Sequence, residues 1–192
     1  MRPETTKQSR NGENALLVVL FVVYVVLLTW VVLWKLTVPW VGEAAFLPHP
    51  IKLIPFFPSG DADWSAPQEV VANLLLFVPF GLYLGLLAPR WQWWKATGVF
   101  VGASLVLEIT QHLISVGSFD ITDVIMNPAG GIAGMGLLAL ARRRFQERIT
   151  AVMTRAFLIG TALSLIAIAI FVASPLRYAP QHDVIFGQTK DG

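Results

Sequence analysis

Cysteine is absent from the 192 residues, which rules out disulfides and cysteine-ligated metal sites. Charge is scarce as well: Asp, Glu, Lys and Arg make up 14% of the chain against 55% apolar residues, a balance unlike that of a water-soluble domain. No H-E-x-x-H, G-x-S-x-G or glycine-rich phosphate loop occurs, so zinc-peptidase, serine-hydrolase and nucleotide-driven chemistries have no motif behind them. What the chain has in abundance is long apolar runs. They point to an all-α, polytopic membrane bundle of about five transmembrane helices folded as one domain.

The runs cover about 16–35, 70–87, 94–114, 123–141 and 154–173. At ~1.5 Å per residue each is comparable to a hydrocarbon core of ~30 Å. Residues 1–14 are polar, without apolar periodicity, and read as a short mobile tail. The first run is too long for the apolar part of a signal peptide and no small-residue cleavage site follows it, so a retained anchor helix is expected. The connection 37–69 is dense in proline, Trp and Phe, which prevents a spanning helix and suits the headgroup level. Pro79 should kink the second span and free the carbonyl of Leu75, which then needs a partner inside the protein. The mostly polar tail 174–192 receives no structure.

The net charge of +2 says less than the placement of the charges. Arg2, Lys7, Arg10, Arg90, Lys95, Arg142, Arg143, Arg144, Arg148 and Arg155 fall on one side of the bundle, whereas Lys35, Lys52, Arg177 and Lys190 lie among acids on the other. The positive-inside rule then puts the amino terminus in the cytoplasm and the carboxyl terminus outside. The arginine turn after the fourth span is a topology signal, and no nucleic-acid partner is implied.

Three G-x-x-x-G pairs, Gly81/Gly85, Gly98/Gly102 and Gly130/Gly134, fall one in each of spans two, three and four. Small residues at this spacing let helix backbones approach, so these spans are expected to form a central trio with spans one and five peripheral.

The polar residues of the apolar region cluster between Glu108 and Gly134. Ser104, Glu108, Gln111 and Ser115 recur at spacings of four, three and four, which aligns them on one face of the third span, with His112 on the neighbouring edge. Asp120, Asp123, Asn127 and Gly130 share a face of the fourth. Glu108 lies about six residues, or ~9 Å, below the external end of its helix, Asn127 at a similar depth, and Asn73 at the external end of span two. A carboxylate at that depth costs roughly 2.5–3.5 kcal/mol on insertion scales, so it needs a partner or a use. Glu108, Asp120 and Asp123 are candidate general acids or bases or cation binders, and Asn73, Gln111, His112 and Asn127 candidate binding groups. Each has a structural alternative: Asp120 and Asp123 cap a helix start, Asn127 precedes the kink at Pro128, Asn73 ties helices together, and His112 marks a boundary. No set of residues specifies a metal, and no cofactor is assigned.

Four segments in order, Leu53-Ile54-Pro55-Phe56, Asn73-x-x-x-Phe77-x-Pro79-x-Gly81, Glu108-x-x-Gln111 and Asp120-x-x-Asp123-x-x-x-Asn127-x-x-Gly130, resemble the VanZ-like family of bacterial membrane proteins, named for a protein associated with teicoplanin resistance. The family often carries an Arg just before the aspartates, where this chain has Gly117 and Ser118. Lys52 or Lys35 of the neighbouring loop is the available substitute for an anion-binding role. The resemblance implies an envelope role: an outward-facing acidic pocket that binds or modifies a membrane lipid or lipid-linked envelope precursor and affects glycopeptide susceptibility. Whether the protein is an enzyme or a passive lipid or glycopeptide-binding module stays open. A transporter is disfavoured by the lack of an internal repeat and of polar groups in the cytoplasmic half.

The orientation is checked by reporter fusions after Arg144 and after Asp191. The first should report cytoplasm and the second the exterior; a cytoplasmic signal after Asp191 would contradict the assigned number of spans or their direction.

Overall fold

The computed structural model describes residues 3–34, 51–56 and 67–173; the rest of the proline-aromatic connection, with Lys35, and the tail 174–192 lie outside the described residues. Five helices follow one another: α1 (Pro3–Trp34), α2 (Pro67–Leu87), α3 (Trp93–Leu113), α4 (Ile121–Phe145) and α5 (Ile149–Ala173), with a single 3-10 turn at Gln146–Arg148. Each contains a stretch long and apolar enough to cross a membrane. The helical bundle expected from the sequence is therefore present.

The first difference is at the amino terminus. α1 starts at Pro3, so the polar segment read as a mobile tail continues the helix. Proline suits a first helical turn, and Glu, Lys, Gln and Arg are good helix formers whatever their lack of apolar periodicity.

α2 and α4 form the tightest pair, and they run parallel. A Cβ added at Gly130 would overlap the Leu74 carbonyl, one at Gly134 the Val78 carbonyl, and one at Gly81 the Gly131 carbonyl. Further along, one at Gly85 would meet the Leu138 side chain. At Gly81, Gly130 and Gly134 the backbones are close enough that only glycine fits. α3 joins them differently. Gly98 and Gly102 face open space, so the third glycine pair makes no helix contact; instead the ring of Phe100 fills the space above Gly131. Phe100 also meets Phe80 edge-on at 5.4 Å between centroids. A glycine pair permits close approach without requiring it, and at α3 an aromatic ring takes the approach distance.

The second correction concerns α1, which is part of the core. Leu28, Val32 and Leu33 pack with Phe77, Phe80, Phe100 and Leu107, while Leu17 and Leu20 pack around Tyr83. The hydroxyl of Tyr24 donates to the Leu76 carbonyl at 2.6 Å, in the turn just before Pro79. A donor from α1 thus serves the backbone in the turn before Pro79, one residue beyond the carbonyl anticipated. At the far end of α2, Arg142 donates to the Gly85 carbonyl at 2.6 Å, satisfying an end group that the helix cannot.

α5 is peripheral, as expected: Leu158, Ile159, Leu163, Ile166 and Ile170 are exposed. It touches α2 through Phe157, stacked on Tyr83 at 3.8 Å. Beyond that stack an apolar cleft of about 560 Å³ separates α5 from α1 and α2, with Leu28, Leu75, Pro79 and Ile168 among its walls.

The two kinds of glycine separate in a stability experiment. Gly134→Leu should lower the melting temperature of the detergent-solubilised protein, since overpacking costs about 1–3 kcal/mol or more, whereas Gly102→Leu should melt like wild type. Equal destabilisation by both would contradict the α2–α4 contact.

Candidate functional site

The polar residues of α3 and α4 meet where α3 ends and α4 begins. Ser104 and Glu108 are wholly buried and Gln111 and Ser115 nearly so, so the spacing that aligned them does form an inward face. α3 closes with Ser115 N–H donating to the His112 carbonyl at 3.2 Å and Val116 N–H to that of Gln111 at 3.1 Å. That is the paired closure of a Schellman turn, and Ser115 adopts the left-handed conformation it needs, at φ 55°. The sequence hides this turn because a serine stands where glycine is usual and the glycine follows two residues later.

The turn carries the chain back to Asp120, which begins α4. Its backbone is extended and its side chain accepts from the Thr122 N–H at 2.8 Å, a cap. Its own N–H donates to Oε2 of Glu108 at 2.9 Å. The buried carboxyl of α3 is thus anchored on the backbone at the start of α4, with the Asp123 side chain nearby.

One turn further in, Ser104 donates to the Asp123 carbonyl at 3.2 Å and accepts from the Asn127 amide at 3.0 Å. The single hydroxyl proton of Ser104 is committed to the carbonyl, so the Asn127 amide must present its NH2 to Ser104 and its oxygen elsewhere. Asn127 is fully buried. Its Oδ1 and the Oε1 of Glu108 are both buried without a hydrogen-bond donor among the described residues. Pro128, the next residue inside α4, therefore stands beside the polar group.

A segment of the connection before α2 pairs with the start of α4. Lys52 N–H donates to the Phe119 carbonyl at 2.8 Å and the Lys52 carbonyl accepts from Ile121 N–H at 3.0 Å, a single parallel bridge to Asp120. The Phe56 N–H donates to the Thr122 hydroxyl at 3.1 Å. Lys52 Nζ is 4.0 Å from Asp120 Oδ2. The Leu53 and Ile54 side chains point outward and are exposed, so this apolar segment docks through its backbone.

The structure thus brings Glu108, Asp120, Asp123, Asn127 and Lys52 into one group. It adds Ser104 and Thr122, which the sequence reading did not name as site residues; an Asp-x-Thr at a helix start and a serine four residues before the acid were the signals available. Gln111 is directed elsewhere, its amide donating to the Val32 carbonyl of α1 at 2.8 Å. Asn73 is half-buried on α2 and takes no part in the hydrogen bonds of the group. His112 is half-buried on the neighbouring edge, with Nδ1 buried and lacking a partner among the described residues. Among the described residues no three His, Asp or Glu side chains are grouped to hold a metal ion.

The ordered elements that build this corner also align with known proteins. The chain is 30% identical over 129 residues, 67% of its length, to Protein VanZ of Enterococcus faecium, and the alignment covers 77% of that relative. No solved structure matches it. The family model described as VanZ/LLP1 matches residues 21–142, from α1 through the last turn of α4, and so takes in every residue of the polar corner. With this match over more than half of its length, the chain belongs to the VanZ/LLP1 family of multi-pass membrane proteins.

Proposed function

We propose that the polar corner of α3 and α4 faces outward from a bacterial cytoplasmic membrane and binds the polar end of an envelope lipid or lipid-linked precursor. The observation that carries this reading is Glu108. A carboxyl group with no solvent exposure, one oxygen bonded to the Asp120 N–H and the other lacking a donor, is costly in a membrane helix. A purely structural role would be better served by Gln, or by an apolar residue that needs no partner.

The corner sits at the boundary where a lipid is polar. Its walls are rigid, because Glu108, Ser104 and Asn127 stand on helices packed through glycine and Phe100. Rigid acceptors at the end of a spanning helix suit recognition of a headgroup held in place by its own chains in the adjacent leaflet. A relative named Protein VanZ and the teicoplanin association of the family make glycopeptide susceptibility the phenotype to read.

In a glycopeptide-sensitive host, expression of the wild-type chain should shift teicoplanin susceptibility, and Glu108→Gln should abolish the shift while leaving membrane expression and melting temperature unchanged. Asp120→Asn should be tolerated, because Asn caps a helix as well as Asp. Full function of Glu108→Gln and Asp123→Asn would contradict a carboxylate role and leave the corner as a structural joint.

A further inference from the structure

The stack of Phe157 on Tyr83 closes one end of the apolar cleft that α5 forms with α1 and α2. From that stack the cleft runs to Ala72 on α2 and Ile168 on α5, eleven residues along each helix, or ~17 Å at the helical rise. That length is close to one leaflet, half of a ~30 Å hydrocarbon core. The end away from the stack lies toward the polar corner's end of the bundle, because α2 and α4 run parallel and both begin there. Along its side, Ala72, Leu75, Gly160 and Ser164 are exposed, so the cleft opens laterally as well.

Small residues keep the space hollow. Ala156, Gly160 and Ser164 line it at four-residue spacing on α5, and a Cβ added at Gly160 would meet nothing within 4 Å. No charged side chain is in its walls among the described residues. Water does not fill an apolar space, and an empty one forfeits dispersion contacts along its walls. A helix is about 10 Å across with its side chains and over this length needs roughly twice the 560 Å³ present. A methylene chain, about 4 Å wide at van der Waals contact, enters with room to spare.

We propose that this cleft holds an acyl chain of a bilayer lipid from the leaflet at the polar corner's end, with the tip of the chain against the Phe157–Tyr83 stack. The site lies across the core from the polar corner and does not depend on the function proposed there. Length selects the occupant: the polyprenyl chain of a lipid-linked precursor exceeds one leaflet and carries a methyl branch at each unit, whereas a straight acyl chain anchored at headgroup level reaches the stack and ends.

The test uses the full chain, purified in detergent and stripped of lipid, then offered dipalmitoyl-phosphatidylcholine, dihexanoyl-phosphatidylcholine or a polyprenyl phosphate, with retained lipid read by native mass spectrometry. The dipalmitoyl lipid should be retained. The dihexanoyl lipid has the same headgroup and chains too short to reach the stack, and should be retained about tenfold less, a difference its lost methylene contacts readily supply. Gly160→Leu places a side chain in the cleft and should lower dipalmitoyl retention about tenfold. Without lipid it should melt no lower than wild type, since Leu is the better helix former. Ser164→Leu repeats the test one turn further along α5, while Gly102→Leu makes the glycine change on α3, outside the cleft, and should retain lipid like wild type.

Undiminished retention by Gly160→Leu and Ser164→Leu would place the chain elsewhere and overturn the proposal, as would equal retention of the two phosphatidylcholines. Preference for the polyprenyl phosphate would overturn the acyl assignment. A melting temperature lowered by Gly160→Leu would mean that protein already fills the space, and a dimer that Gly160→Leu dissociates would identify a second copy as the occupant; either result overturns the proposal.

Discussion

A polar group inside a bilayer must find its partner within the protein, and the bond from Asp120 N–H to Glu108 is where this constraint shapes the chain. It joins the buried acid of α3 to the N-cap residue of α4, whose end N–H groups are unsatisfied by the helix itself. The favourable end of the α4 dipole therefore faces the carboxyl. Once the α3–α4 corner is set, the rest of α4 follows: Gly131 lies under Phe100, and the glycines of α2 and α4 close against each other's backbones. The packing then holds Ser104 and Asn127 in register, which leaves the Asn127 oxygen facing away from Ser104.

Those features that depend on composition and period were legible in the sequence. Five helices, the inward face of Ser104, Glu108 and Gln111, the glycines of α2 and α4, and the cap at Asp120 all rest on local rules, and all are present. What was not legible depends on which neighbour a residue meets. Gly98 and Gly102 carry the same spacing as the packed pairs and touch nothing, because Phe100 between them sets the distance from α4. Gln111 shares a face with Glu108, yet one turn further along it meets α1 and donates to Val32. The bridge from Lys52 to the start of α4 is a backbone contact across 68 residues of sequence, and no side-chain pattern announces a backbone pairing of that kind.

The same arrangement separates two environments on the bundle. The α3–α4 corner is polar, rigid and covered by the Ile51–Phe56 segment, whereas α5 leaves an apolar cleft against α1 and α2 on the other side of the core. At the corner two buried side-chain oxygens, Glu108 Oε1 and Asn127 Oδ1, lack a donor among the described residues.

Because the whole arrangement hangs on Glu108 holding the Asp120 N–H, amide hydrogen exchange across residues 115–125 tests it most directly, comparing wild type with Glu108→Leu in the same detergent or nanodisc. The account predicts slow exchange at Asp120 and Ile121 in the wild type, and fast exchange at Asp120 in Glu108→Leu while the amides within α2 and within α4 beyond Asn127 stay protected. Equal protection of Asp120 in both proteins would mean that the buried carboxyl does not set the corner.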